Sequence, residues 1–295
     1  MKIGFVGLGQ MGKHMAVNLL KSGAELIVCD TRKDSFPEFT SKGARATTDL
    51  LEVGQAEIIF LCLPNSEIVQ SVILGEKGMF PHLVPGQTVV DFSTIKYSTT
   101  LEIAKALETR GVDFLDAPIS GMEARSREGT LTIMCGGKKQ VFAKVLPYLQ
   151  YVGKKIVFMG ATGSGQLAKL INQLLFDINV AALAEILPMA VKMGLDPVKV
   201  GEVVNSGTGR SYASEFFIPR IVKDNFAEGY SMRNAYKDLV SAAEISANLC
   251  IPMPVLAAAT ATYQMALLKG FGNDDKGGMI KVFEDLLGIS YREQQ

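Results

Sequence analysis

The chain has 295 residues, 48% of them hydrophobic and 20% charged, and its Lys+Arg count of 30 matches its Asp+Glu count of 30. This length suits two domains, and this apolar content supplies a sizeable core and argues against disorder. The balanced charge, with no basic block, argues against nucleic acid as a main partner, and no run approaches the roughly 20 uninterrupted apolar residues of a membrane helix.

The first predicted strand covers residues 2–6 and runs straight into Gly7-Leu8-Gly9-Gln10-Met11-Gly12, followed by a helical pattern over 11–22. A strand that begins at residue 2 leaves no room for a signal peptide, so a cytoplasmic location is expected. Gly7 permits a tight turn, Gly9 lets a pyrophosphate approach the backbone, and Gly12 lets the helix pack on the strand. The N–H groups at the start of that helix then attract the phosphates. A bare GxGxxG is weak. Its strand–turn–helix context, with Asp30 closing a second apolar run at 25–29, makes it a dinucleotide-binding signature. Residues 7–12 with Asp30, Thr31 and Arg32 are therefore candidate cofactor contacts.

Further strands are predicted at 56–62, 87–91, 112–115, 130–135 and 155–158, with helices at 34–42, 65–73, 97–109 and 138–149. Runs such as Ile58-Ile59-Phe60-Leu61-Cys62-Leu63 are apolar throughout rather than alternating. Both faces of the sheet are then covered by helices, as in a mainly parallel doubly wound sheet. The strand at 130–135 follows Gly129 without an intervening helix, which points to an antiparallel last part. The glycine-dense segment Gly160–Gly165 ends the strand patterns. Beyond it the patterns are helical: a long one over 166–193 with Pro188 as a candidate kink, then about 197–205, 214–223, 231–249, 254–268 and 277–287. The expected architecture is an α/β dinucleotide-binding domain over 1–162, joined through one long helix to an all-α domain over 163–295 that carries the substrate cleft and the oligomer contacts.

Cys29, Cys62, Cys135 and Cys250 are scattered, three of them in apolar strand-like runs, so buried reduced thiols are expected. His14 and His82 lack a metal-type partner at i+4. No metal site is expected, and the acid/base group of any oxidoreductase here is not a histidine.

Three other stretches carry candidate chemistry. Leu63-Pro64-Asn65 lies past a predicted central strand, where doubly wound sheets bind ligands, although Asn65 also suits a helix N-cap. Asp116-Ala117-Pro118-Ile119-Ser120-Gly121 precedes Gly129-Thr130-Leu131; Ser120 and Gly121 offer a hydroxyl and N–H groups to a carboxylate. Lys169, Asn172, Gln173 and Phe176 share one face of the long helix, directed toward the interdomain cleft.

Together these segments resemble the β-hydroxyacid dehydrogenases, a family that includes 3-hydroxyisobutyrate dehydrogenase and tartronate semialdehyde reductase. The likeness runs over essentially the whole chain, through residues 5–12, 116–121 and 129–131, Gly165 with Lys169-Leu170-Ile171-Asn172, and Lys237-Asp238-Leu239. It implies a Rossmann-type domain followed by an all-α domain, NAD or NADP in the cleft, a small hydroxy acid or semialdehyde as partner, and a homodimer or homotetramer. It implies Lys169 as catalytic acid/base, which a lysine can be if burial or a neighbouring cation lowers its pKa. Ser120 and Gly121 then hold the substrate carboxylate and Asn172 hydrogen-bonds the substrate. Thr94 lies by the nicotinamide, though it also suits a cap for the helix from 97. Lys237 reaches the cofactor and Asp238 pairs with a neighbouring cation.

The chain departs from that pattern at Met122, where the family has glycine, and at Gln173, where a second Asn is frequent. The charged loop Glu123–Arg127 and the Gly209-Arg210-Ser211-Tyr212 run, which resembles that of 2-(hydroxymethyl)glutarate dehydrogenase, point to a larger or doubly charged acid bound by Arg210 or Arg125. Asp30 favours NAD, while Arg32 and Lys33 are a route to NADP. Oxidative decarboxylation, as in 6-phosphogluconate dehydrogenases, and a silent dinucleotide-binding module are the alternative activities. Imine reductases rank lower, because they usually lack the lysine.

Overall fold

The computed structural model describes residues 1–293. They form two compact units, Met1–Lys169 and the part from Leu170 onward. In the first unit the order is β1 (Lys2–Val6), α1 (Gly12–Leu20), β2 (Glu25–Cys29), α2 (Phe36–Ser41), β3 (Arg45–Thr47), α3 (Leu50–Val53), β4 (Ile58–Leu61), α4 (Ser66–Leu74), β5 (Thr88–Asp91), α5 (Tyr97–Glu108), β6 (Asp113–Asp116), β7 (Ile119–Ser120), α6 (Met122–Glu128), β8 (Leu131–Gly137), α7 (Lys139–Val152) and β9 (Gly153–Gly160). Helix α8 (Ser164–Lys192) starts in this unit and contains the division; α9 (Pro197–Ser206), α10 (Tyr212–Ile221), α11 (Met232–Leu249), α12 (Pro254–Leu268) and α13 (Ile280–Leu287) follow.

The sheet runs β3-β2-β1-β4-β5-β6-β8-β7, with β9 on the free edge of β8. From β3 to β6 every pairing is parallel. The strand order reverses between β1 and β4, the crevice where such sheets bind ligands. The unbroken apolar strands are explained by their alternation. Ile3, Phe5, Ile58 and Phe60 pack with Met15 and Leu19 of α1 and Val145 and Leu149 of α7. Val6, Ile59, Leu61 and Val89 turn to the other face, against Val69 and Ile73 of α4 and Ile103 and Leu107 of α5.

Four sequence expectations are corrected or refined. β3 and α3 were not expected, because three or four residues carry no readable period. The segment 123–127 is not a loop but most of helix α6, ended by Gly129 in the left-handed region at φ 70°. β8 is antiparallel to β6 and β7 as expected, but parallel to β9. Cys29 and Cys135 are buried, whereas Cys62 is half-buried and Cys250 is exposed at the C-cap of α11.

In the second unit Val180, Ala184, Leu187 and Ala190 of α8 meet Phe217 and Ile221 of α10, Leu239 of α11 and Tyr263 of α12 in one core. With 29 residues and a mean hydropathy of 1.8 over its most apolar window, α8 is long and apolar enough to cross a membrane, and 39% of that window is buried in the protein.

Candidate active site

The turn after β1 is shaped by contacts that only glycine tolerates. Gly7 has φ 97°, and a Cβ there would lie 2.3 Å from the Cys62 carbonyl oxygen. A Cβ on Gly12 would lie 2.0 Å from the Gly7 carbonyl oxygen, so α1 starts hard against the turn. Gly9 is different: a Cβ there meets nothing within 4 Å, which leaves bare backbone facing open space. No side chain caps α1 at Met11, so its first N–H groups can serve an anion. Asp30 braces the turn, accepting from the Leu8 N–H at 2.6 Å and the Arg32 N–H at 2.8 Å. Thr31 Oγ1 reaches the same carboxylate at 3.5 Å. A cleft of about 150 Å³ opens beside them, lined by Leu8, Gly9, Gln10, Asp30 and Arg32 and also by Lys13, Asp34 and Ser35. These last three carry no glycine or strand-end signal, and spacing did not single them out. Two carboxylates, two cations and uncapped helical amides suit a nucleotide's ribose and phosphates.

A buried polar relay lies under the ends of the next strands. The Leu63 N–H donates to Ser93 Oγ at 2.8 Å, and the Ser93 N–H donates to Asp91 Oδ1 at 2.9 Å. Asp91 and Asp116 are register partners across β5 and β6. Burial pushes Asp91 up to about 7, against hydrogen bonds from Ser93 and with the help of Asp116. Burial likewise pushes Asp116 up to about 6, against N–H donors that include Gly163 and Gln166. Those donors, at 2.7 and 3.0 Å, fix the start of α8 to the end of β6. The Gln166 side chain extends the link, donating to the Ser93 carbonyl at 2.7 Å and accepting from the Ile95 N–H at 3.3 Å. Lys169 lies one turn further along this helix and is buried, 8% exposed. Asp91, Ser93 and Gln166 were not singled out from sequence; polar residues directly after an apolar strand, or at a helix start, are the signal that could have found them.

Asn65 accepts from the Ile68 N–H at 2.9 Å and caps α4. Pro64 beside it is exposed and Leu63 half-buried. Thr94 is half-buried and is not the cap of α5, whose N-cap residue is Lys96. In the Ser120–Met122 turn two consecutive residues have positive φ, 144° at Gly121 and 59° at Met122. A left-handed non-glycine residue costs about 1–3 kcal/mol unless its surroundings hold it. Met122 is 42% exposed. The exposed Arg125 folds its stem back over the turn, its Cδ 2.8 Å from where a Gly121 Cβ would be.

In the second unit Asn172 is exposed and donates to Gln173 Oε1 at 3.4 Å. Gln173 Nε2 donates to the buried Asp238 at 3.4 Å, and Lys237 beside it is half-buried. Arg210, expected to be available for a substrate carboxylate, is 62% exposed but paired with Glu215 at 2.5 Å. The reason is local. Ser211 caps α10 through a capping box, which sets Glu215 in the first turn beside Arg210.

The glycine turn at the switch point of a parallel sheet, its braced acid and its cleft define a dinucleotide-binding α/β protein with a helical second unit. Residues 2–160 match the NAD binding domain of 6-phosphogluconate dehydrogenase, and residues 163–283 match the NAD-binding domain of NADP-dependent 3-hydroxyisobutyrate dehydrogenase. The chain is 40% identical to 2-(hydroxymethyl)glutarate dehydrogenase of Eubacterium barkeri, over 98% of this chain and 97% of that one. It is 35% identical to 2-hydroxy-3-oxopropionate reductase of Escherichia coli, over 96% and 97%. A solved 3-hydroxyisobutyrate dehydrogenase from Salmonella typhimurium superposes with a TM-score of 0.86 at 28% identity, covering 96% of this chain and all of that one. The chain belongs to the 3-hydroxyisobutyrate dehydrogenase family and is an NAD(P)-dependent oxidoreductase of the β-hydroxyacid dehydrogenase class.

Proposed function

We propose that this enzyme interconverts a β-hydroxy acid and its semialdehyde with Lys169 as acid/base. The observation that carries the reading is the burial of Lys169 on a helix whose first turn is tied to the ends of β5 and β6 through Asp116 and Gln166. NAD(P), when bound, supplies the hydride acceptor or donor. The turn 7–12 holds its pyrophosphate and Asp30 its ribose hydroxyls, while the braced Leu63–Asn65 segment and Thr94 border it. In oxidation Lys169 Nζ takes the hydroxyl proton, and in reduction it returns that proton to the new alkoxide. Ser120 Oγ and the N–H groups of Gly121 and Met122 grip the carboxylate, an anion in a turn of oriented amides. Asn172, Arg210 and Lys237 enter this proposal on the family resemblance alone.

The test is Lys169→Ala. Loss of a positioned acid/base is expected to lower kcat about 10²–10⁴-fold while dinucleotide binding stays. Turnover at the wild-type rate would remove Lys169 from this role. The substrate screen should set mono- against dicarboxylic β-hydroxy acids, since the 40%-identical relative is named for a dicarboxylic acid.

We propose NAD as the preferred cofactor. Asp30 presents a carboxylate to the cleft, which repels a 2′-phosphate. Lys13 and Arg32 line the same cleft and offset part of that repulsion. A kcat/KM for NAD well above that for NADP is expected; the reverse order would overturn the assignment.

A further inference from the structure

The helix that follows the substrate turn is bound along its length to the helix that follows the cofactor turn. Glu123 Oε2 accepts from Gln10 Nε2 at 2.7 Å, and Glu123 Oε1 meets His14 Nε2 at 3.0 Å. Gln10 is part of the glycine turn and lines the cleft. One turn along α6, Ser126 Oγ donates to the Met11 carbonyl at 2.9 Å. At its far end Asn18 Nδ2 donates to the carbonyls of Ser126 at 3.0 Å and Arg127 at 3.3 Å. The hydrogen bonds from His14 and Gln10 hold the Glu123 carboxyl down at about 2, so it is ionised at any working pH. At the near end of α6, Met122 sits in a left-handed conformation directly after Gly121, an arrangement that persists only where neighbours impose it. The pyrophosphate turn and the carboxylate turn thus lead into the N-terminal ends of one laced pair of helices.

We propose that Glu123 is a positioning residue that couples the two ligands, so that ordering the Gln10 turn around a dinucleotide sets the Ser120–Met122 turn to receive the acid. This rests on the assignment of the two turns made above. The lacing gives the coupling a physical carrier. α6 has seven residues, too short to hold its own register, and its side-chain bonds to α1 supply that register. A dinucleotide that immobilises Gln10 and Met11 therefore lowers the ordering cost left for the acid, which is positive cooperativity.

The experiment measures the dissociation constants of isobutyrate and 2-methylglutarate by calorimetry, with and without saturating NAD. Both acids lack the reactive hydroxyl, so no turnover intervenes. In the wild type the acid is expected to bind about 5-fold or more tightly with NAD present, within the usual range of coupling between sites. In Glu123→Ala that ratio falls to about one, while the melting temperature, the affinity for NAD alone and kcat at saturation stay near wild type. Only KM for the acid rises. Arg127 of the same helix also donates to Glu123 Oε1, at 3.2 Å; Glu123→Gln, which keeps one acceptor oxygen, recovers part of the ratio. If Glu123→Ala does not fold, Ser126→Ala cuts the second lace and reads the same quantity. A wild-type ratio of one, an unchanged ratio in folded Glu123→Ala, or a loss that comes only with lower melting temperature and lower NAD affinity overturns the proposal. A wild type that binds NAD and shows the coupling but keeps full activity after Lys169→Ala strikes instead at the acid/base reading.

Discussion

Asp116 in the α/β unit and Asp177 in the helical unit are both completely buried, yet they are paired differently. Asp116 takes backbone N–H groups from Gly163 and Gln166. Asp177 takes the ammonium of Lys276, itself 1% exposed, and the Tyr263 hydroxyl at 2.8 Å. The Lys276 ammonium also lies 4.6 Å from the Phe176 ring centre. In the first case the acceptor fixes a piece of main chain, the first turn of the helix that carries Lys169. In the second it fixes side chains on three elements, α8, α12 and the 3₁₀ turn before α13. A backbone donor is lost only to proline, whereas a buried ion pair depends on the side chain of each partner. The α/β unit is therefore built to hold turns at a ligand, and the helical unit exposes its core to single-residue failure.

Lys276→Met is expected to be the most disruptive way to break this contrast. It strands Asp177 without its cation and should cost about 3–5 kcal/mol in urea unfolding, while Asp177→Leu with Lys276→Met regains most of that. A loss below 1 kcal/mol in the single variant would show that the pair matters little.

The α/β side is sharpened by pH. Burial pushes Asp91 up to about 7 in the folded chain from its ordinary 3.8. Between those values the folded state binds more protons than the unfolded one, so stability falls as pH rises from about 4 to about 7 and then levels. Asp116, raised to about 6, adds a fall that ends sooner. Asp91→Asn removes the first contribution. Its melting temperature should gain on wild type across that window and not above it; parallel curves from pH 4 to 8 would sink the linkage.

The smallest effect is expected at Arg210, whose pairing with Glu215 lies at the surface. Arg210→Ala should leave stability within about 0.5 kcal/mol. If Arg210 trades Glu215 for a second substrate carboxylate, KM should rise for dicarboxylic acids and not for monocarboxylic ones. An unchanged KM for both classes removes it from the site.

Much of this protein was legible in its residues because the signals are local. Gly7, Gly9 and Gly12 are spaced by the geometry of one turn, and Asp30 ends the neighbouring strand. The unbroken apolar strands announce a sheet covered on both faces, and the loss of strand patterns after Gly165 announces the helical unit. These features follow from periodicity and backbone sterics, which a sequence carries directly.

What tertiary structure alone decided is which distant groups meet. That Asp91 stands beside Asp116, that Gln166 ties α8 to Ser93, that Glu123 reaches Gln10 and His14, and that Arg210 is held by Glu215 depend on strand register and helix packing. Even the segment 123–127, read as a charged loop, is a helix, held by Gln10 and Met11 of the glycine turn and by His14 and Asn18 of α1. Met, Glu, Ala and Arg favour a helix locally by tenths of a kcal/mol per residue, too little to hold seven residues alone, and the side-chain hydrogen bonds to the glycine turn and α1 add what is missing.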